Sequence, residues 1–180
     1  MSDHKANTVP EHRVTVAEIL GLLVDDGLVL KPDADVLIAE SRLRRQVAHP
    51  LTIIAEQKWK SQLPPHRPLA LDDLTEWFAS KVGLEYYHID PLKIDFTSVT
   101  DVMSSAYATR FGILPVRVTA QEVVVATVEP FLREWEKEIK PLVKKPIRRV
   151  VANPQDVARY LIEFYNLARS VKKATQLGGQ

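Results

Sequence analysis

The histidines are His4, His12, His49, His66 and His88, and no two share the i, i+4 spacing that sets a pair of imidazoles around a metal on one helical face. His88 and Asp90 stand two apart in an apolar stretch, so on a strand they share a side and form the nearest approach to a metal or acid–base pair. Polar residues closing a strand have the same spacing, and that is the reading taken. Carboxylates lie side by side at Asp25-Asp26 and Asp72-Asp73. The second pair suits a helix start, where negative charge complements the dipole; the first is expected to face water. Neither has a further acid at a spacing for general acid–base work. The six glycines, Gly21, Gly27, Gly83, Gly112, Gly178 and Gly179, make neither G-x-x-x-x-G-K-S/T nor G-x-G-x-x-G, so they offer no backbone cradle to a nucleotide phosphate. Basic residues cluster at Arg42, Arg44 and Arg45, at Lys144, Lys145, Arg148 and Arg149, and at Lys172 and Lys173. Acids such as Glu134, Glu136 and Glu138 alternate with them and no aromatic residue interleaves as a stacking platform, so they read as solvated faces and not as a nucleic-acid site. No catalytic, cofactor-binding or metal-ligating residue is assigned. The residues read as a non-catalytic domain.

The totals agree. A chain of 180 residues holds one domain with a real core or two small ones, and its hydrophobic share of 46% and charged share of 26% are those of a soluble globular protein. A net charge of +1 gives no general pull toward nucleic acid or anionic lipid. There is no cysteine, which excludes disulfides and thiolate chemistry and fits a reducing compartment. No run approaches the roughly 20 apolar residues of a membrane span, and the polar start lacks a signal peptide's apolar stretch, so the expected location is the cytosol.

The elements that must position any site follow from periodicity and caps. Thr15 and Glu18 have the capping-box spacing, with Val16, Ile19, Leu20 and Leu23 on one helical face and Gly27 as the stop. A second helix is predicted from Pro32 or Asp33 to about Val47, with Val36, Ala39 and Leu43 among its apolar positions, and a third from Leu51 to Lys60. The three prolines of SQLPPHRPL make a loop. Asp72 or Asp73 caps a helix that turns Leu74, Trp77, Phe78 and Val82 inward and stops at Gly83; Tyr86–Ile89 is a possible edge strand. A helix from Ser98 places Val99, Val102, Met103, Ala106 and Tyr107 on one face. In GILPVRVTAQEVVVATVEP, Ile113–Val118 and Val123–Val128 form an antiparallel hairpin around Thr119–Glu122. Pro130 opens a helix bearing Phe131, Trp135 and Ile139 that ends near Pro141. Ile147–Ala152 is a third strand, parallel to the second by the crossover rule, and Asn153-Pro154 opens a long last helix. Trp59, Trp77, Trp135, Phe131 and Tyr165 are assigned to packing.

The expected fold class is therefore α+β: a helical N-terminal subdomain, then a small mixed three-stranded sheet with covering helices in the order β-β-α-β-α. The expected divisions are a flexible 1–13, a helical 14–66, an α/β 67–169 and a linker at 170–180.

From Leu74 onward the chain resembles the N-terminal domain of the secretion ATPases, the hexameric motors of type II secretion and type IV pilus assembly. The resemblance rests on a helix ending Y-A-x-R, then ILPV, an A-T-x-E-P turn, and ANP opening a helix that contains E-F-Y, in that order over roughly residues 70–170. It implies a docking and regulatory domain that ties a motor to the cytoplasmic domain of an inner-membrane platform protein, peripheral to that membrane through its partners. Hexamer formation, ATP, magnesium and the Walker motifs would belong to a motor domain absent from this sequence. The alternative it implies is sensing of cyclic di-GMP, which some relatives bind through R-L-G followed by apolar pairs, a second glycine and a final glutamine. Leu23, Val24, Gly27, Leu28 and Val29 match that frame, but Glu18 stands at the arginine position and Leu20 at the first glycine, with Gly21 one residue out of register. Gln46 serves as the final glutamine only with an insertion before it. In a second copy, His49-Pro50-Leu51 replaces R-L-G and Lys58 the later glycine. Glutamate repels phosphate where an arginine fork would grip it, and leucine blocks the close backbone approach that glycine allows.

Overall fold

The computed structural model describes residues 9–45 and 47–179. His4 and Gln46, both weighed above, lie outside them.

Four helices come first. α1 (Val16–Asp25) starts where the Thr15 hydroxyl accepts the Glu18 amide at 3.1 Å. It stops at Gly27, whose φ of +72° lets Leu28 N–H bond Leu23 C=O at 2.9 Å. α2 (Lys31–Leu43) buries Ala34 and Leu37 against it. The predicted face is corrected here: Val36, Ala39 and Leu43 point outward, with Leu43 87% exposed. Both sets fit a helical period, and packing on Leu20 and Leu23 selects the one that sequence spacing alone did not. α3 (Pro50–Glu56) is shorter than expected, because Lys58 takes a left-handed φ of +55° and Lys60 pairs with Pro68 across the following loop. α4 (Leu71–Val82) is preceded by Ala70 at its cap, so Asp72 and Asp73 lie in its first turn, and Gly83 ends it at φ +73°.

The sheet follows. β1 (Glu85–Tyr86), β2 (Ile113–Val118), β3 (Val123–Thr127) and β4 (Ile147–Val151) lie in the order β1-β4-β3-β2. There are four strands where three were expected: β1 pairs only Glu85 with Val150 and Tyr86 with Val151, too short to show an alternating pattern. β2 and β3 form the predicted antiparallel hairpin, with a bulge between Pro115 and Arg117, and β4 runs parallel to β3 as expected. The single helix predicted from Ser98 is two, α5 (Phe96–Thr100) and α6 (Ser105–Phe111). Asp95 and Ser104 each cap a new start, and Ala108 is buried in place of Ala106. α7 (Glu134–Val143) begins after the predicted Pro130 and carries Pro141 in its last turn. Pro130 forms a turn instead: Leu132 N–H bonds Glu129 C=O at 3.0 Å, and Arg149 holds Pro130 C=O at 2.6 Å. α8 (Pro154–Gly178) starts at Asn153, whose side-chain oxygen accepts the Gln155 and Asp156 amides. The expected linker is helical through Gly178 and exposed beyond Ala168.

Two cores result. One packs β2–β4 against α5–α8 around Trp135, Val125 and Phe164. The other joins α1–α4, with Val151 of β4 entering it. Leu74, Phe78 and Ala79 of α4 belong to the helical core.

Candidate functional site

The titratable groups that meet across the fold come from four separate segments. His12 precedes α1, Glu18 lies in its first turn, His49 caps α3 and Glu129 follows β3. The His12 Nε2 donates to the Glu18 carboxylate at 2.9 and 3.1 Å, Nδ1 lies 2.7 Å from Pro10 C=O, and the ring stacks on Phe131 at 4.8 Å. Two acceptors want two N–H groups, so the Pro10 carbonyl and then Glu18 raise the His12 pKa. This occupies Glu18, whose capping-box partner would have been the Thr15 amide. It also fixes residues 9–13, expected to be loose, together with Glu11, which accepts the Arg133 amide at 2.9 Å.

His49 is bound on both sides. Nε2 donates to Val128 C=O at 2.8 Å and Nδ1 accepts the Leu51 amide at 3.2 Å, which sets the tautomer. Burial pushes its pKa down to about 4. Its Nε2 is 3.9 Å from Glu129 Oε1, but a neutral ring whose proton is given to Val128 makes no ion pair there. Glu129 accepts the Val14 amide at 2.9 Å, and burial pushes its carboxyl up to about 7 despite that bond. A carboxyl near 7 suits proton transfer. This one is sealed, only 5% exposed. The four side chains act as a clasp that fixes the starts of α1 and α3 on the β3–α7 turn.

Beside the clasp lies a cleft of about 550 Å³ between the start of α1, the end of α2 and the start of α3. Its floor is Val14, Val16, Ile38 and Ile53; Thr15 and Ser41 line it too, and Arg42, Arg44 and Arg45 stand on its rim. In the other main basic cluster the two arginines are paired. Arg148 pairs with Glu85 at 2.6 Å and Glu122 at 3.1 Å, and Arg149 with Glu136 at 2.7 Å. Among the described residues Arg42, Arg44 and Arg45 have no ion pair.

His88 does not meet Asp90, which accepts the Leu92 amide at 3.1 Å instead. It meets Asp72 and Asp156, their ligand atoms all within 4.8 Å, at the first turns of α4 and α8. These three side chains would be the ligands of a cation there, but Asp72 already accepts the Asn153 amide group at 2.8 Å. Burial and then Asp72 raise the Asp156 pKa. Asp26, expected to face water, holds Trp77 at 2.8 Å and Lys81 at 2.6 Å, and Lys81 first, then Trp77, lowers its pKa. The residue that sequence reasoning missed is Glu129; His49 was named but given no such partner. The only local signal was a lone carboxylate between Val128 and Pro130 at the end of an apolar strand.

The positions equivalent to the cyclic di-GMP motif are now placed. Gly27 and Lys58, at the later glycine position of the two copies, both have left-handed φ. Glu18 and His49, at its two arginine positions, are turned into the clasp, and Leu20 is fully buried.

Residues 82–171 match the family model described as the MshEN domain. The type IV pilus assembly ATPase TfpB of Acinetobacter baylyi is 36% identical over 151 residues, covering 83% of this chain and 26% of that protein. The chain thus spans about a quarter of the length of that relative. Among solved structures, that of MshE with cdg superposes at a TM-score of 0.56 with 13% identity, over 85% of this chain and 100% of the other. The N-terminal domain of XpsE does so at 0.50 with 17% identity, over 85% and 98%. These two share the fold. With half of its residues in the match, this chain belongs to the MshEN domain family.

Proposed function

We propose that this is the non-catalytic docking and regulatory domain of a type II secretion or type IV pilus motor, coupling that motor to the cytoplasmic domain of an inner-membrane platform protein. The observation that carries the reading is how the polar groups are used. The buried His49 and Glu129 are spent on clasping the fold, while among the described residues the cleft and the outer face of α2 are open. Likeness to a pilus ATPase over a quarter of that protein's length supports it. Nucleotide hydrolysis and hexamer formation then fall to a separate motor domain, and the domain works in the cytoplasm. No helix among the described residues is long and apolar enough to cross a membrane.

Partner contact is assigned to the helical half. β1 offers two residues as an edge, and β2, the other edge, is buried from Ile113 to Val116 and carries Pro115, which has no N–H to donate. Binding of the platform protein's cytoplasmic domain to this chain is the test. Absence of binding at concentrations where the full motor binds would remove the proposal.

A second reading, cyclic di-GMP binding, draws on the left-handed turns at Gly27 and Lys58 and on the fold shared with MshE. Glu18, Leu20 and His49 oppose it. Calorimetry with cyclic di-GMP decides: heat that saturates supports it, and a flat titration ends it.

A further inference from the structure

We infer that the cleft between α1, α2 and α3 receives an acidic amphipathic helix from a partner protein, seating an apolar side chain on the floor and its carboxylates on the rim. The inference rests on the docking reading and names the chemistry of the docked segment.

Charge complementarity carries it. Three arginines, Arg42, Arg44 and Arg45, stand together on one rim with no ion pair among the described residues; Arg67, Arg110 and Arg117 have none either but do not line the cleft. The first turn of α1 opens onto the same cleft through Thr15, Val16 and Ala17, and its dipole adds to the positive potential. Glu18, the acid of that turn, is held by His12 and is not among the residues that line the cleft. The clasp thus keeps a carboxylate away from the opening.

The floor selects the kind of anion. Val14, Val16, Ile38 and Ile53 present branched aliphatic surface, and the described lining residues include no aromatic ring, carboxamide or carboxylate. A nucleobase is read by stacking and by hydrogen bonds to its edge, which the aliphatic floor does not supply and only the rim arginines could. A leucine or phenylalanine at the centre of an amphipathic helix needs only apolar walls, and arginine forks are suited to the glutamates beside it. A volume of about 550 Å³ accommodates one or two such side chains.

The test uses two short helical peptides with the same leucine stripe, one flanked by glutamate and its twin by lysine. Fluorescence anisotropy at low salt follows their binding to the whole chain and to the variant Arg42→Glu, Arg44→Glu, Arg45→Glu. All three positions are exposed, and a melting curve checks that the variant folds. The acidic peptide is expected to bind and the basic twin not. The triple reversal weakens the acidic peptide by about tenfold or more and transfers preference to the twin, with both effects shrinking at high salt. Equal affinity for the twins, no effect of the reversal, or no binding by either peptide overturns the inference. So does displacement of the acidic peptide by cyclic di-GMP if the reversal also abolishes binding of the nucleotide. The platform's cytoplasmic domain separates this inference from the docking reading. If it binds the triple variant as tightly as the parent chain, docking stands and the groove falls. If it fails to bind while the acidic peptide binds as described, the groove stands and the motor-coupling reading falls.

Discussion

His49 and Glu129 titrate in opposite senses, and their pH effects on stability should nearly cancel until one is replaced. The unfolded chain protonates His49 below about 6.5, whereas the folded chain refuses that proton until about 4, so this residue makes stability fall as pH falls through that window. Glu129 keeps its proton in the folded chain up to about 7 but loses it near 4.5 when unfolded, so it makes stability fall as pH rises. Each interval corresponds to roughly 3 kcal/mol. Between pH 4.5 and 6.5 the two slopes are equal and opposite. Glu129→Gln keeps an oxygen to accept the Val14 amide and removes one slope, so this variant should lose about 3 kcal/mol relative to the parent as pH falls from 6.5 to 4.5. His49→Gln should do the reverse, losing a similar amount as pH rises over the same range. Urea unfolding followed by tryptophan fluorescence gives both curves, and subtracting the parent removes the common contributions of His12, Arg13 and Glu18, the charged groups facing Glu129. Flat difference curves, or slopes of the same sign in both variants, would refute the buried clasp.

Three further outcomes follow from the same contacts. Gly112→Ala should cost about 2 kcal/mol or more, against about 1 for Gly83→Ala. Both glycines have positive φ, but a Cβ at Gly112 would meet Val128 Cγ2 at 2.8 Å while nothing lies within 4 Å at Gly83, and chemical denaturation of the two variants shows the difference. Asn153→Ala removes the α8 cap and the donor to Asp72, so a loss of about 1–2 kcal/mol is expected, seen as a melting temperature lower by several degrees. In limited trypsin digestion, cleavage at exposed Lys172 or Lys173 should precede cleavage after exposed Lys60, at the other end of the loop that runs to Arg67. The loop around Arg67 is tied by Ser61 N–H to Arg67 C=O and by Leu69 N–H to Trp59 C=O, both at 2.8 Å, so an early cut there would contradict that loop structure.

The parts of the fold governed by neighbouring residues were readable. Thr15 and Asn153 as caps, Gly27 and Gly83 as stops, the β2–β3 hairpin and the parallel β4 all depend on a few adjacent positions, and the structure has them. The buried face of α2 was not readable, because two apolar sets satisfy the same period and only packing against α1 chooses Ala34 and Leu37. The possible edge strand at Tyr86–Ile89 is present as β1, but displaced to Glu85–Tyr86, since two residues show no alternation to fix the bounds. The clasp joins residues 79 and 115 positions apart, His49 to Val128 and Val14 to Glu129, and no local pattern encodes such a pairing. The arginines of the rim were visible as a cluster. That, unlike those of β4, they have no carboxylate partner among the described residues is a property of the fold.

The central proposal, that this domain is a docking module, is tested most directly by titrating the platform protein's cytoplasmic domain into this chain beside the full-length motor. The account predicts affinities within about tenfold of each other, a difference of at most about 1.4 kcal/mol. Binding by the motor with none by the chain would place the contact elsewhere and contradict the account.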